Sequence, residues 1–159
     1  TSFAELLKTH KSIAHGPMIL TPHLGELKRL TDALGEKDVD ENLASDTPLS
    51  FFNMIQTVSD RLDAILVVKS SLVHIAFPCE SRIAIIEGLN PSLGVAGSGD
   101  VLSGVIAALL AGGSSVKEAA LLGVLLHQAA GSLAHARSGY YDSETLVTYL
   151  GQVVMGAEQ

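Results

Sequence analysis

A glycine-rich stretch running into an apolar segment, Asn90 to Gly104 (NPSLGVAGSGDVLSG), holds the residues of this sequence best suited to chemistry. Gly97, Ser98 and Gly99 stand at the junction, where glycines let main-chain N–H groups turn toward one point without Cβ obstruction. The unpaired amides of a new helix, together with its dipole, favour an anion there, typically a phosphate. Asp100 follows in the first turn. A carboxylate so placed can take a proton from a hydroxyl as that oxygen attacks a bound phosphoryl group. The same residues also fit a plainer role, with Ser98 or Asp100 capping the helix and the glycines serving tight packing. The stretch is not a P-loop, since no Lys-Ser/Thr follows the glycines. Nor is it a dinucleotide-binding loop, which needs a strand directly before the first glycine.

A second cluster, Thr21 to Glu26 (TPHLGE), follows the brief apolar run Pro17 to Leu20. That run reads as a buried strand, and open α/β sheets bind ligands at the carboxyl ends of their strands. His23 could donate a hydrogen bond or shuttle a proton there, and Glu26 could orient a polar group or a metal-bound water. The alternative is a helix start capped by Thr21, with Glu26 in the first turn where the dipole favours it. Lys69 ends another buried strand, which suits a solvated terminus as well as a nucleotide contact. His127 lies in a segment apolar nearly all round and is expected to be a hydrogen-bonded core histidine. His10, His15, His74 and His135 show no metal-ligand spacing with one another or with Cys79, so no metal site is expected. Tyr140 and Tyr141 could stack on an adenine, but packing beneath the adjacent loop is the preferred reading.

The elements that must position these groups alternate between strand and helix. Ser2 to His10 reads as a short helix. Leu24, Leu27, Leu30 and Leu34 mark a helix over 24–34 that Gly35 stops. Glu36 to Thr47 is polar and acidic, a surface loop. Asp46 or Thr47 could cap a helix with Pro48 in its first turn, whose apolar stripe runs down to Asp63. Ala64 to Lys69 (AILVVK) is continuous and β-branched, the pattern of a strand covered on both faces. Leu72–Phe77 and Arg82–Glu87 read as two strands joined by a turn at Pro78–Ser81. Gly88 to Gly99 is a loop, and three helices follow over about 99–111, 116–138 and 142–155. This order indicates a layered α/β architecture. Two interior strands and a hairpin form a small sheet for so much apolar helix surface, so the chain reads as part of a larger α/β unit.

Composition narrows the partners. The 159 residues include 17 acidic and 10 basic side chains, giving a formal charge of −7, and no Lys/Arg cluster interrupts that balance. Such a surface repels phosphate backbones, so nucleic-acid binding is not expected. The mean hydropathy is high, at +0.36. The longest unbroken run of apolar residues and glycine, however, is Ala119 to Leu126, far short of the ~20 residues of a spanning helix. No membrane association is expected. The single Cys79 cannot form an internal disulfide, and the first residues lack the basic start and apolar run of a signal peptide. Both points suggest a cytoplasmic protein.

Taken in order, TPHLGE, ILVVKSS, NPSLGVAGSGDVLSGVIAALLAGG and AALLGVLLHQAAGSLA resemble the ADP/ATP-dependent NAD(P)H-hydrate dehydratases. These are carbohydrate-kinase-like domains of the YjeF type, within the ribokinase-like superfamily. The resemblance runs from about Gly16 onward, and the hexapeptide with His23 is its most specific part. It implies a three-layer α/β/α fold with a mostly parallel sheet, of which residues 1–159 are the C-terminal part of a single nucleotide-binding domain. It also implies a reaction in which hydrated NADH or NADPH is dehydrated at the expense of ADP or ATP, with Mg²⁺ arriving on the nucleotide.

Residue by residue, Asp100 matches the catalytic, substrate-contacting aspartate and His23 the histidine near the hydrated nicotinamide, with Glu26 and Asn90 assigned to the same substrate. Gly97, Ser98 and Gly99 match the anion-holding turn. Lys69, Ser70, Ser71, Leu72 and Val73 match a nucleotide-contacting segment of Lys-Gly-Ala-x-Thr type. The sequence departs from the pattern at Ser70 and Val73, and at Val95 and Ala96, where Thr-Gly is usual and where the added side chains would crowd the turn. The N-terminal half of the family domain is not represented. An exposed sheet edge would then call for a homo-oligomer or a complementing N-terminal segment. A small-molecule kinase of the same superfamily, or a non-catalytic nucleotide-binding remnant, would share the glycine turn and Asp100.

Overall fold

A computed structural model describes residues 15–35, 48–87 and 90–156. The helix expected over 2–10, the polar stretch 36–47 with its capping candidates Asp46 and Thr47, and Gly88 lie outside the described residues. The elements are β1 (Met18–Leu20), α1 (Leu24–Leu34), α2 (Pro48–Leu62), β2 (Ala64–Val68), β3 (Leu72–Ala76) and β4 (Ile83–Glu87), then a 3₁₀ turn (Pro91–Gly94), α3 (Ser98–Ala111), α4 (Val116–Ser138) and α5 (Ser143–Gly156). Each strand and α-helix falls where hydrophobic period and turn residues place it, within two residues, while the 3₁₀ turn lies in a stretch read as loop. The strands form one sheet in the order β1-β2-β3-β4. β1 runs parallel to β2, with Ile19 opposite Ile65, while β2 and β3 are antiparallel, with Val67 opposite Ile75.

The described residues divide into two compact units, one reaching to Ser70 and including His74–Ala84, the other comprising Ser71–Val73 and Ile85 onward. In the first, every residue of β2 is buried, as its unbroken Ala-Ile-Leu-Val-Val sequence requires. Leu27 and Leu30 of α1 and Ile55 and Val58 of α2 pack on Leu66 and Val68. The α1 helix stops at Gly35, whose left-handed backbone (φ 73°) lets its amide reach the carbonyls of Thr31 and Asp32. Asp63 alone links α2 to β2, at φ 46°. The buried Ser59 hydroxyl secures that tight reversal by donating to the Ala64 carbonyl at 2.7 Å. Asp60 accepts the amide of Cys79 at 2.7 Å, which holds the β3–β4 turn against α2.

The second unit is built from helices with small residues where they meet. A Cβ on Gly123 of α4 would lie 2.5 Å from Cγ1 of Ile106, and one on Gly131 would lie 2.7 Å from Leu93. Ala130, Ala134, Tyr141 and Leu146 form its core, with Leu93, Val95 and Val101 packed against them. Ser115 and Glu118 close a reciprocal cap on α4. Hydrogen bonds from the Ser115 hydroxyl and amide hold the Glu118 carboxyl below the usual carboxylate range. At the start of α5 the Asp142 carboxylate accepts the Thr145 amide at 2.8 Å, and the hydroxyl and amide of Thr145 hold that carboxyl below its usual range. By length and mean hydropathy, α4 could cross a membrane. It packs here as a core helix, with Ala119, Ala120, Val124, Ala130 and Ala134 buried along it.

Candidate functional site

The first cluster gathers where β1 and β2 end. Beyond Leu20 opposite Leu66, the same parallel register brings His23 opposite Lys69. The Lys69 amide donates to the Pro22 carbonyl at 2.8 Å. Two neighbouring parallel strands thus bring His23 and Lys69 to paired backbone positions at their carboxyl ends, the position from which open α/β sheets address ligands. His23 is exposed and Lys69 half-buried.

His23, rather than Thr21, caps α1. Its Nδ1 accepts the amides of Gly25 at 3.0 Å and Glu26 at 3.3 Å, and Glu26 Oε2 accepts the His23 amide at 2.8 Å. This is a capping box with an imidazole where a hydroxyl is usual. Sequence reasoning missed it because Ser, Thr, Asp and Asn dominate caps; the signal was Glu26 three residues after His23. Since Nδ1 is the acceptor, the hydrogen of a neutral ring sits on Nε2. That nitrogen lies 3.7 Å from Glu26 Oε2, on a side chain about half exposed.

His23→Asn is therefore expected to keep α1 capped while losing the ring donor. His23→Ala is expected to cost about 1 kcal/mol in folding stability, as cap removals do. Melting curves of the two variants check the difference.

The segment following Lys69 joins β2 to β3. Ser70 and Ser71 are exposed at the bend, Leu72 is half-buried and Val73 is buried. From Val73, then, only the main chain can face a ligand.

In the second unit, Asn90 caps the 3₁₀ turn. Its Oδ1 accepts from the Ser92 amide at 3.1 Å and from the Ser92 hydroxyl, while its buried Nδ2 meets no acceptor among the described residues. Gly97 is the N-cap of α3, at φ 86°, and no side chain caps that helix. The capping alternative for Ser98 and Asp100 thus gives way. The Ser98 hydroxyl instead reaches back to the Leu93 carbonyl at 2.6 Å, and Asp100 is exposed in the first turn. The turn cannot accept a side chain at Gly97, where a Cβ would lie 2.9 Å from Ser143 Oγ. Val95 does not crowd it, because its side chain packs into the core of this unit.

The amides of the turn are not equivalent. Ser98 N donates to the Val95 carbonyl at a long 3.3 Å, and Asp100 N donates to the Gly97 carbonyl at 3.0 Å. The Gly99 amide has no acceptor among the described residues. The expected convergence of three donors is therefore narrower: Gly99 offers the bare N–H, beside a helix terminus and a free carboxylate. Behind the turn, His127 is buried and its Nε2 lies 2.9 Å from the Ser98 carbonyl oxygen, the hydrogen-bonded core histidine expected. Tyr141 is buried in packing, whereas Tyr140 is 86% exposed. Among the described residues no three His, Cys, Asp or Glu side chains are placed to hold a metal ion.

The chain is an α/β protein of the ribokinase-like class, with His23 and Lys69 at its strand ends and a Gly-Ser-Gly-Asp helix start that no side chain caps. Solved chains bear this out: a ribokinase-like superfamily protein from Enterococcus faecalis superposes with a TM-score of 0.68 at 25% identity, over 94% of this chain and 50% of its own. The family model described as NAD(P)H-hydrate dehydratase matches residues 4–152, and the chain belongs to that family.

Among its relatives are a bifunctional NAD(P)H-hydrate repair enzyme of Thermofilum pendens, 39% identical over 84% of this chain and 24% of the relative, and an ADP-dependent (S)-NAD(P)H-hydrate dehydratase of Xanthomonas campestris, 34% identical over 77% and 39%. The ADP/ATP-dependent NAD(P)H-hydrate dehydratase of Bacillus subtilis, co-crystallized with ATP and Mg²⁺, superposes with a TM-score of 0.72 at 27% identity, over 91% of this chain and 50% of that one. The chain spans about a quarter to two-fifths of the two named relatives and about half of these solved chains.

Proposed function

We propose that this chain supplies the phosphoryl-handling part of a dehydratase that repairs hydrated NADH and NADPH with ADP or ATP. The observation that carries this reading is the bare Gly99 amide at an uncapped helix start, with Asp100 exposed in the same turn. An anion held there is bound by the amide and the helix terminus together. The family membership and the nucleotide-bound Bacillus subtilis relative support the same ligand.

In the proposed reaction, Asp100 accepts the proton of the ring hydroxyl as that oxygen attacks the terminal phosphoryl group. The bond from phosphorus to the bridging oxygen breaks, releasing AMP from ADP or ADP from ATP. Hydroxide is a poor leaving group and phosphate a good one. The ring nitrogen lone pair then expels phosphate, and loss of a proton from the neighbouring ring carbon restores the dihydropyridine. The protein's task is to position two anionic ligands and stabilise the transferring charge, with no covalent nucleophile required.

His23 offers its Nε2 hydrogen to the hydrated nicotinamide portion. Glu26 keeps His23 in place through one carboxylate oxygen and leaves the other for substrate, and Asn90 contributes its unpaired Nδ2. The family resemblance assigns Gly97, Ser98 and Gly99 to nucleotide contact, and likewise Lys69, Ser70, Ser71, Leu72 and the main chain of Val73. Mg²⁺, when bound, neutralises phosphate charge; it travels with the nucleotide, since hard cations with few protein ligands keep phosphate oxygens and water around them. The rest of the substrate pocket comes from sequence that the longer relatives carry, or from a second copy completing the sheet beside β1. The single Cys79, which has no partner for an internal disulfide, supports a reducing, cytoplasmic compartment.

Incubating hydrated NADH with ADP, with ATP and with neither tests this reading. Nucleotide-dependent recovery of NADH absorbance is the expected result. Phosphorylated product without NADH would identify a kinase, and nucleotide binding without turnover would identify a non-catalytic remnant.

A further inference from the structure

We propose that His127, buried in α4 and well removed from the glycine turn in sequence, is a positioning residue for the phosphate-binding amide of Gly99. The proposal rests on the nucleotide-binding reading above and assigns a determinant of affinity that this reading does not contain.

The Ser98 carbonyl and the Gly99 N–H belong to one planar peptide unit. A carbonyl oxygen can only accept, so His127 Nε2, 2.9 Å away, carries the hydrogen and donates it. The N–H at the other end of that plane is the one amide of Ser98, Gly99 and Asp100 without an acceptor. Gly99 on the C-terminal side of this peptide lowers the steric cost of rotating it at that end. Rotation would swing the N–H away from an anion and present the carbonyl, which repels it.

Besides the intrahelical bond that the carbonyl of the first α3 residue accepts, two contacts oppose that rotation. The Ser98 hydroxyl ties its residue to Leu93 at 2.6 Å, and His127 fixes the carbonyl itself. The His127 bond also acts electronically. A donor on the carbonyl oxygen draws electron density from the amide nitrogen, and hydrogen bonds in series strengthen one another in a low-dielectric setting. The ring is 7% exposed, so little water competes for the contact. His127 thus aims the Gly99 N–H and makes it a stronger donor without touching the ligand.

His127→Leu keeps the bulk and removes the donor; His127→Gln retains an N–H at similar reach. Calorimetric titration of the full chain with MgADP, thermal melting without ligand, and the ¹⁵N resonance of Gly99 are measured for wild type and both variants. The expected result is a three- to tenfold weaker affinity for the Leu variant, about the loss of one hydrogen bond, with a displaced Gly99 resonance. The Gln variant is expected within about twofold of wild type, as one such retained bond allows. A merely structural role would lower the melting temperature of both variants without the Gln variant recovering affinity and resonance.

Should the Leu variant fail to fold, the Gln variant decides: retained affinity with an undisplaced resonance supports the proposal, and loss of either overturns it. Wild-type affinity in a folded Leu variant also overturns it, and leaves the nucleotide site itself standing. No MgADP binding by wild type would remove both the site and the proposal.

Discussion

Asp100→Asn is expected to lower turnover of hydrated NADH by about a thousandfold, within the range for loss of a general base, while MgADP affinity changes no more than a few-fold. The amide is nearly the same size as the carboxylate and occupies the same exposed place in the first turn of α3, so the fold has no reason to respond. What changes is chemistry, since the amide nitrogen cannot accept the hydroxyl proton. Removing a negative charge beside the nucleotide phosphates should if anything tighten binding slightly. Single-turnover assays and calorimetry separate these effects. Turnover at the wild-type level would take Asp100 out of the mechanism.

Gly97→Val is expected to damage both stability and nucleotide binding. A branched residue at φ 86° is in a region its side chain disfavours, costing about 1–3 kcal/mol. Its Cβ would also fall 2.9 Å from Ser143 Oγ at the start of α5. In a domain of this size the backbone penalty alone lowers the melting temperature by several degrees. The turn must also shift away from Ser143, taking the Ser98–Gly99 peptide with it, so MgADP affinity should fall at least about tenfold, the loss expected when a charge-assisted bond is broken.

Two controls separate backbone strain from the clash. Gly97→Asn, which tolerates the left-handed region better, should be milder than Gly97→Ala if handedness dominates. Ser143→Ala in the Gly97→Ala background removes the contact at 2.9 Å but leaves Ser143 Cβ at 3.1 Å, so it should restore only part of the loss. A Gly97→Val variant that melts and binds as wild type would show that neither constraint operates.

The elements were legible in the sequence because their signals are local. The β-branched run of β2, the Gly35 stop and the leucine spacing of α1 each depend on a few adjacent residues. Capping by His23 was hidden because imidazole nitrogen seldom replaces a hydroxyl or carboxylate at that position. The pairing of His23 with Lys69 requires knowing that β1 and β2 are neighbours in register, which neither strand declares alone. Tertiary contacts were less visible still. Nothing near Gly97 announces Ser143, and nothing near Ser98 announces His127. The unequal commitment of the turn amides follows from where Val95 and Gly97 aim their carbonyls, a property of backbone angles rather than residue type. Sequence could propose Asp100 and the glycines as a site; it could not say that, of the amides of Ser98, Gly99 and Asp100, only that of Gly99 lacks an acceptor among the described residues.

Cys79 supplies a practical handle. It is the sole cysteine of the sequence and is exposed, in a turn that Asp60 secures from below. One maleimide dye therefore attaches at one known point in the unit that carries His23 and Lys69, with no competing thiol to block. Energy transfer from that dye to a fluorescent ADP analogue would report, in solution, how far the nucleotide lies from the strand ends.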